Sequence, residues 1–515
     1  MILKTTLLLV FFAVTVSVGL YFRKRASSVN DFVLGGREVG PWLSAFSYGA
    51  TYFSAVVFVG FAGQFGWRFG TAAVWIGLGN AFIGSLMSWY ILGRRTRIMT
   101  NHLKSATMPA FFGTRFNSAP LKIGAAIIVF VFLIPYTASL YNGLSRLFSM
   151  AFNIPFELCI IAIGVLTAVF VVTGGYFATA VNDFIQGTLV LVGIAAVVAV
   201  VLNDKGGFTA AIGELSRVEA AGVNPGGFTS FFGPDPISLL GVVILTSFGA
   251  WGLPQMVARF YSIKSEKMIS KGAVVSTVFA IVVAGGCYFI GSFGRLYADV
   301  VEVGANGVVF DSIVPTILSG FSDIIIALVV VLVFAASIST LSSLVMASSS
   351  TLTLDFLKGH VIKKLGEKSQ LIVIRALIVV FIVISSVIAI YQYSGGLTFI
   401  AQLMGVSWGA LAGAFLAPFL YGLYWKRATR ASVWCCFVFS TVLMTLNIFF
   451  RDAFPAILQS PINAGAFTML AGLIIVPAVS AITKAPAKKS VDACFSCYDA
   501  MVSVKIRDTL GSDGN

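Results

Sequence analysis

The most distinctive polar residues in the chain form a run of hydroxyl side chains behind an aliphatic stretch. Residues 324–333 read Ile-Ile-Ile-Ala-Leu-Val-Val-Val-Leu-Val. Five hydroxyl residues follow shortly after them: Ser337, Ser339, Thr340, Ser342 and Ser343. In an apolar helix such hydroxyls can bond back to the carbonyls of their own helix. They can equally provide neutral oxygen ligands for a hard cation such as Na⁺, and we favour this second interpretation.

Acidic residues are expected only at the ends of apolar stretches, at Glu157, Asp183 and Asp323. A proton relay is built on carboxylates near the membrane centre, so their absence there favours Na⁺ over H⁺. Asp183 ends the segment Thr173-Gly-Gly-Tyr-Phe-Ala-Thr-Ala-Val-Asn-Asp183, at the predicted cytoplasmic end of an apolar stretch. It either caps the first amides of a helix or lies on a cytoplasmic path of ion release.

Two apolar stretches contain residues that interrupt helices. Residues 44–54 are crowded with small and hydroxyl side chains, and residues 246–255 hold Gly249, Gly252 and Pro254 close together. Proline removes a backbone hydrogen bond and clashes with the preceding turn. Small residues can merely permit close helix packing. Interrupted helices at corresponding positions of two halves, however, indicate a secondary transporter with an inverted repeat.

The composition sets the frame for these motifs. The chain has 515 residues, 58% of them apolar and 10% charged, with a mean hydropathy of +0.96. Soluble domains carry about 25% charged residues, so a water-soluble enzyme or a disordered protein is excluded. Stretches of about 20 apolar residues predict a polytopic all-α membrane protein. Thirteen spans are predicted, over residues 2–22, 42–66, 72–93, 123–149, 157–174, 183–202, 237–260, 272–294, 323–347, 371–392, 397–425, 432–450 and 464–483.

The positive charges predict the orientation of these spans. The net charge is +14, which in a soluble protein would suggest nucleic acid. Here 27 of the 34 Lys and Arg residues fall on one side of the predicted spans. Cytoplasmic loops carry the Lys and Arg excess, so we expect the N-terminus outside, the C-terminus in the cytoplasm and the protein in the plasma membrane. The partner is therefore the lipid bilayer and not nucleic acid.

Residues for other chemistry are sparse. The six cysteines include one isolated pair, Cys494 and Cys497, and the two histidines, His102 and His360, lie in loops. No paired carboxylates, histidine cluster or nucleophile arrangement is visible in the spans, so we expect a protein that is not an enzyme. We expect no cofactor besides Na⁺ as coupling ion and no obligate protein partner. The polar segment after residue 484 is expected to be disordered.

Six segments in order resemble the sodium:solute symporter family, especially its proline and pantothenate permease branch. They are residues 31–41, 49–54, 174–186, 252–260, 336–341 and 422–427. The resemblance implies a LeuT-like 5+5 inverted repeat with discontinuous helices. The expected parts are a first helix outside the core (1–22), a first five-helix repeat (42–202), an inverted second repeat (237–425), two additional helices (432–483) and a cytoplasmic tail (484–515).

The resemblance also implies site residues. The family's Na⁺ site corresponds to the carbonyls of Ala50, Phe53 and Ala336 and the hydroxyls of Ser339 and Thr340. Arg37 and Asp183 match positions implicated in ion coupling or release. For the solute we expect a set from four spans: Tyr52, Ser54, Tyr136, Ala250, Trp251 and Gln402. An aromatic pair of the proline carriers is replaced by Thr246 and Ala250, and Thr-Tyr-x-Ser at 51–54 is similar to pantothenate carriers.

The predicted function is therefore a Na⁺-driven symporter that imports a small polar organic solute, an amino acid or a carboxylate such as pantothenate or proline, by alternating access. The alternatives are an uncoupled facilitator and a transporter-like sensor. A facilitator does not require the Ser339–Thr340 pair. A sensor would require a folded domain after the last span, where only about 30 polar residues follow.

Overall fold

The computed structural model describes residues 2–25, 27–52, 54–304, 307–362, 365–395 and 400–499. Within these ranges the chain is almost entirely helical. The α-helices are α1 Ile2–Tyr21, α2 Val29–Leu34, α3 Pro41–Tyr52, α4 Ala62–Phe69, α5 Val74–Gly79, α6 Arg94–His102, α7 Met108–Arg115, α8 Ala119–Phe152, α9 Phe156–Asp204, α10 Phe208–Ser216, α11 Pro236–Gly252, α12 Pro254–Ser262, α13 Ile269–Ser292, α14 Ile313–Ser319, α15 Asp323–Thr351, α16 Glu367–Gly395, α17 Ile400–Tyr424, α18 Arg430–Phe449, α19 Pro461–Ile482 and α20 Lys488–Phe495.

Four stretches of wider, π-helical turns extend or join these helices: Val56–Phe61, Asn80–Met87, Trp89–Gly93 and Leu352–Val361. The only strands in the described ranges are β1 Val303–Gly304 and β2 Gly307–Val308, which pair antiparallel in a loop.

Nine helices in the described part of the chain are long and apolar enough to cross a membrane, and the bent pair α11–α12 makes ten. This confirms an all-α, multi-pass protein. The two longest segments, Val56–His102 and Phe156–Asp204, each contain a glycine with positive φ, Gly70 (φ 60°) and Gly175 (φ 62°).

Helices α15 and α17 form the centre of the bundle. In their most apolar windows, 78% and 89% of the residues are buried, whereas the corresponding window around α16 is 33% buried. Helix α15 packs against α8 and α9, and α17 packs against α8, α11, α18 and α19. The hydroxyl run therefore lies inside the protein rather than against lipid.

Both predicted helix interruptions are present. Helix α3 ends at Tyr52, Ser54 lies in a bend, and the chain becomes helical again before Val56. Helices α11 and α12 meet at an angle of 46°, with Leu253 extended between them (φ −84°, ψ 123°). Pro254, at the first position of α12, has no N–H to donate to α11, which explains why the helix stops there.

The segment after residue 484 is not the disordered tail that the composition predicts, at least as far as residue 499. Helix α20 places Val491, Cys494 and Phe495 on one buried face, the i, i+3, i+4 pattern of an amphipathic helix. Asp492 pairs with Lys426 at 2.9 Å, and the Ala493 carbonyl lies 2.8 Å from His102 Nε2. The tail is therefore attached to the ends of α6 and α17.

The contact between α4 and α13 gives a first test. A Cβ on Gly291 would lie 1.9 Å from the Ala62 carbonyl oxygen, whereas a Cβ on Gly285, one and a half turns earlier in α13, would meet open space. We expect Gly291→Ala to cost about 1–3 kcal/mol through overpacking and to lower the thermal unfolding midpoint of the detergent-solubilised protein. Gly285→Ala is the matched control and should unfold like the parent. Equal midpoints for the two variants would contradict this packing.

Candidate ion and solute site

A buried ion pair lies at the centre of the site. The side chains of Asp183 and Arg259 are 0% and 1% exposed, with Oδ2 and Nη2 3.5 Å apart. Ser47 donates a very short hydrogen bond to the same Asp183 oxygen. Arg259 Nη2 donates to Thr51 Oγ1 at 3.0 Å and to Ser343 Oγ at 2.5 Å. The cluster thus joins α3, α9, α12 and α15.

Two backbone interruptions position this pair. Tyr176 directly follows the Gly175 break, its ring lies 5.0 Å from the Arg259 guanidinium, and its hydroxyl lies 2.6 Å from Ser262 Oγ. Arg259 belongs to α12, whose direction is set by the break at Pro254. Each interruption therefore aims one helix segment at the buried charges.

The interpretation of Asp183 as a helix cap is wrong. Helix α9 already begins its second part at Tyr176, because the residues after Gly175 are small or apolar and continue the helix. Asp183 lies within that part, where the backbone amides already bond to carbonyls of the helix. Its partners are instead Ser47 and Arg259. The prediction that Asp183 lies at the end of a span is therefore also wrong, because the residue lies inside the second part of α9.

Three residues of the predicted Na⁺ set lie together. Thr340 Oγ1 is 3.2 Å from the Ala336 carbonyl oxygen and 3.4 Å from that of Ala50, with the Thr51 carbonyl at 3.5 Å. Ala50 and Thr51 are in the last turn of α3, where carbonyls have no partner within the helix. The negative end of the helix dipole adds to the attraction for a cation at this point.

Ser339 lies on the neighbouring side of α15. Its hydroxyl oxygen is buried beside the Asp183 carboxylate and makes no hydrogen bond of ordinary geometry. Asp183 Oδ1 likewise has no hydrogen-bond partner among the described residues. A Na⁺ ion bound beside the Thr340 cluster would provide a partner for both of these buried oxygens. Phe53, the remaining residue of the predicted set, lies outside the described residues.

Arg37 is not brought to the ion pair by any described contact. It lies in the connection before α3 and donates to the backbone carbonyls of Ser105 at 2.7 Å and Tyr261 at 3.4 Å, and also to Thr100. Burial is the main cause that lowers the pKa of its guanidinium, and the positive charge of Arg97 lowers it further. Arg37 therefore ties the loops on the basic side together, near the end of α12.

The structure groups part of the predicted solute set. The ring of Tyr136 meets Trp408 edge-on with centroids 5.8 Å apart. Trp408 also closes on Gly249, where an added Cβ would lie 2.5 Å from the indole. Ala250 follows Gly249 and is fully buried. Trp408 thus connects α8 to the second interrupted helix.

The other predicted solute residues are more scattered. Trp251 donates its indole N–H to the Ile83 carbonyl at 3.0 Å, away from the Tyr136 contact. Ser54 is buried at the first interruption, and its hydroxyl has no partner among the described residues. Gln402 is half-buried in the first turn of α17. The side chain of Tyr52 lies outside the described residues.

Two residues of this site were missed on the sequence. Arg259 has a usable signal, because a cation in an interrupted apolar helix must find a buried carboxylate. Trp408 lies among small residues from Gly405 to Gly413, a pattern that marks a large ring in a close helix contact.

A cavity of about 40 Å³ connects the ion pair towards the basic loops. Tyr176, Gln255, Arg259 and Ser343 line it, together with Thr107 of the α6–α7 connection. The opposite side is closed above the first interruption: the Phe310 carbonyl packs on Gly63, and Ile400 packs on Gly60. The ion pair is therefore nearer to the side of the basic loops than to the opposite side.

The profile of the sodium:solute symporter family matches residues 32–436 of this chain. The chain belongs to the sodium:solute symporter family. This confirms the resemblance and the prediction of a membrane transporter rather than an enzyme. The chain is 28% identical over 494 residues to the osmoregulated proline transporter of Bacillus subtilis, covering 93% of this chain and 95% of the relative. It is 28% identical over 436 residues to the sodium/proline symporter of Staphylococcus aureus, covering 82% and 81%.

Two solved structures share the fold of this symporter-family protein. A Na⁺-coupled sialic acid symporter in a substrate-bound outward-open state aligns with a TM-score of 0.71 and 19% identity, covering 94% of this chain and 99% of that one. Mhp1, a nucleobase-cation-symport-1 family transporter in a closed conformation, aligns with a TM-score of 0.51 and 14% identity, covering 90% and 97%. The LeuT-like helical fold is thus established, and these identities support nothing finer.

The ion pair gives a second test. Removing one partner leaves a buried charge without compensation, which costs about 3–5 kcal/mol, whereas removing both is far less costly. We expect Asp183→Asn to lower the thermal midpoint of the purified protein strongly and the double variant with Arg259→Gln to recover most of it. Arg115→Gln, which removes a buried guanidinium bonded only to carbonyls, is the control and should not be rescued by Asp183→Asn. Additive effects in the first pair would disprove the coupling.

Proposed function

We propose that this protein imports a small polar organic solute that carries a carboxylate, such as proline or pantothenate, and couples this import to Na⁺ by alternating access. The observation that carries the proposal is the group of oxygens around Thr340. It combines carbonyls at the end of α3, which accept long hydrogen bonds from Thr340, with the hydroxyl of Thr340 on α15. Buried oxygens of Ser339 and Asp183 that make no hydrogen bond of ordinary geometry lie beside this group.

Na⁺ at this point would bridge α3 and α15 and order the interrupted segment after Tyr52. Such bridging between an unwound helix and a neighbour is how ion binding is transmitted to the solute site in discontinuous-helix transporters. The membrane potential contributes about 2.3 kcal/mol per elementary charge per 100 mV to the driving force. Among the described hydrogen bonds, Na⁺ would have to displace only the long ones that Thr340 donates to the carbonyls of Ala50, Thr51 and Ala336.

Asp183 is proposed to guide Na⁺ towards the cytoplasm. Its free oxygen faces the Ser339 side, and its ion-pair partner Arg259 lines the cavity that leads to the basic loops. A departing cation can therefore pass from the neutral oxygens to a carboxylate before it reaches water. Arg37 would support this path indirectly, through the Tyr261 carbonyl beyond Arg259.

The solute is proposed to bind between the two helix interruptions, near Tyr52, Ser54, Tyr136, Ala250, Trp251 and Gln402. The named relatives transport proline, which supports an amino acid. The start of α12 is the positive end of a helix dipole, which attracts a carboxylate. Trp408 is added to the set because it lies between Tyr136 and Gly249.

We also propose thirteen membrane crossings with the N-terminus outside, in the plasma membrane. The segments Val56–His102 and Phe156–Asp204 have 47 and 49 residues, about 70 Å at 1.5 Å per residue. That is more than twice the hydrocarbon thickness of about 30 Å, so Phe156–Asp204 is proposed to cross twice, with a turn at Gly175. The part of Val56–His102 before the turn at Gly70 is too short to cross alone, so it is proposed to form one crossing together with α3, and the part after Gly70 to form the next. Spans 42–202 and 237–425 are then the two inverted repeats.

The proposal is tested by uptake into proteoliposomes with a panel of radiolabelled amino acids, carboxylates and neutral sugars. Each solute is measured with an inward Na⁺ gradient, with K⁺ in its place, and with an H⁺ gradient. We expect accumulation of a carboxylate-bearing solute only with Na⁺. Equal uptake in all three conditions would favour the uncoupled facilitator, and accumulation of a sugar without competition by carboxylates would overturn the solute class.

The ion site gives a third prediction. Thr340→Ala removes an oxygen next to the Ala50 and Ala336 carbonyls, and Ser339→Ala removes one beside Asp183. In each variant the Na⁺ concentration for half-maximal uptake should rise about tenfold, the equivalent of about 1.4 kcal/mol. Thr353→Ala is the matched control, because this buried hydroxyl donates only to the Ser349 carbonyl of the same helix. If the control and the two variants share the wild-type Na⁺ dependence, the assigned ion site is wrong.

A further inference from the structure

A second cavity opens on the side opposite to the basic loops. It has a volume of about 400 Å³ and lies between the end of α8, the start of α9, the segment 310–319 and the end of α16. None of the residues assigned to the central site lines it. Its walls combine a guanidinium, two carboxylates and an aromatic pair, which is an unusual combination for a loop surface.

The positive group of this outer cavity is Arg146, at the outer end of α8. Its Nε donates to Asn142 Oδ1 at 2.9 Å, and its guanidinium lies 5.3 Å from the ring centre of Tyr393. The two terminal nitrogens make no hydrogen bond to any residue in the described part of the chain. The fork of Arg146 is therefore held in place by its neighbours and is free to bind a carboxylate.

The negative group is Asp311, at the base of the cavity. The residue is 2% exposed, and its Oδ2 accepts a hydrogen bond from the backbone N–H of Ile400 at 3.3 Å. Its Oδ1 is buried and has no partner among the described residues. Burial raises the pKa of Asp311 to about 6, an effect that the nearby charge of Arg146 opposes.

The remaining wall is aromatic, with a second carboxylate at the rim. Phe156 and Tyr393 stack with ring centroids 3.8 Å apart and planes 14° from parallel. Glu302 is exposed at the opening. A solute with only a carboxylate would meet two like charges here, whereas an ammonium group would reduce that repulsion.

We propose that the outer cavity is a first binding site for a zwitterionic α-amino acid, with the solute carboxylate on Arg146, the ammonium group on Asp311 and the apolar part against Phe156 and Tyr393. This inference rests on the proposed function and narrows its substrate class, because it favours an amino acid over a purely anionic solute such as pantothenate.

Asp311 also connects this site to the closure of the outer side. The backbone N–H of Ile400 donates a hydrogen bond to Asp311. Ile400 is the first residue of α17 and packs on Gly60 next to the first interruption. An ammonium group can bind the unpartnered Oδ1 of Asp311 while the Ile400 N–H keeps Oδ2. A solute bound in the outer cavity would therefore share one carboxylate with the first residue of α17.

The test measures initial rates of Na⁺-driven uptake for the best-transported amino acid of the panel, with L-proline tried first. Arg146→Gln and Asp311→Asn should each raise the KM about tenfold, the equivalent of one hydrogen bond to a charged group. The maximal rate and the Na⁺ concentration for half-maximal uptake should stay within about twofold of the wild-type values. Both changes would then be clearly smaller than the expected tenfold rise in KM, which corresponds to about 1.4 kcal/mol. Arg146→Lys keeps the charge and should lie between wild type and Arg146→Gln.

Arg451 and Asp452, two consecutive residues in an exposed turn after α18, provide matched controls. Arg451→Gln and Asp452→Asn remove one positive and one negative charge, as the two test variants do. Their KM values should equal that of wild type. Equal shifts in the controls would show a general surface-charge effect and overturn the proposal.

Competition with two proline analogues tests each group inside one variant, so partial loss of folded protein does not affect the result. Tetrahydrofuran-2-carboxylate lacks the ammonium group, and prolinamide lacks the carboxylate. Both should compete more weakly than proline in wild type. Asp311→Asn should reduce the preference of the protein for proline over tetrahydrofuran-2-carboxylate. Arg146→Gln should reduce its preference for proline over prolinamide. Unchanged preferences in both variants would overturn the site.

The two proposals fail in different ways. If wild type accumulates no solute with a Na⁺ gradient, the proposed function fails. If Na⁺ drives uptake only of solutes without an ammonium group, or if both variants keep the wild-type KM for an amino acid, the outer-cavity proposal fails while the Na⁺ coupling stands.

Discussion

A buried charge is costly unless an opposite charge lies next to it. The buried pair of Asp183 and Arg259 therefore requires the helices that carry these two residues to stay in contact. An isolated charge at such depth costs several kcal/mol even after the surroundings relax. The pair and its hydroxyl partners come from α3, α9, α12 and α15. These four helices can shift relative to one another only if the charges find new partners. A cation that binds beside the pair changes that balance, so the arrangement suits a protein whose helices must exchange contacts during transport.

The helix interruptions were predictable from sequence because their causes are local. Pro254 stops α11 through its own ring, and the crowding of small residues before Ser54 is visible without a fold. The association of Ala50, Ala336 and Thr340 was expected only through the family resemblance, since it depends on packing between α3 and α15. The partner of Asp183 was not predicted at all. No periodicity links residue 183 to residue 259, and only the bend at Leu253 turns α12 towards α9.

The solute site shows a second limit of sequence reasoning. Ala250 and Trp251 were placed in one site, but adjacent residues of a helix point about 100° apart. Ala250 is accordingly fully buried, whereas Trp251 donates to the Ile83 carbonyl on another side of the helix. Tyr136 meets the second interrupted helix only through Trp408, which comes from a third helix. Distances across a bundle depend on helix rotation, and a sequence contains no direct measure of it.

The attachment of α20 moves the boundary of the folded body. Composition alone would place that boundary where the apolar residues end, near Ile482, yet Phe495 packs under Arg115 at 4.9 Å and Tyr498 bonds to the Arg95 carbonyl at 3.1 Å. A protein shortened at residue 483 would expose the apolar surfaces that these rings cover, together with arginines that lose their aromatic neighbours. A fluorescent protein or affinity tag is therefore better joined beyond Asp499 than at the end of the last long helix. Joined there, it would also report on the ends of α6 and α7, to which the last turns of the chain are bound.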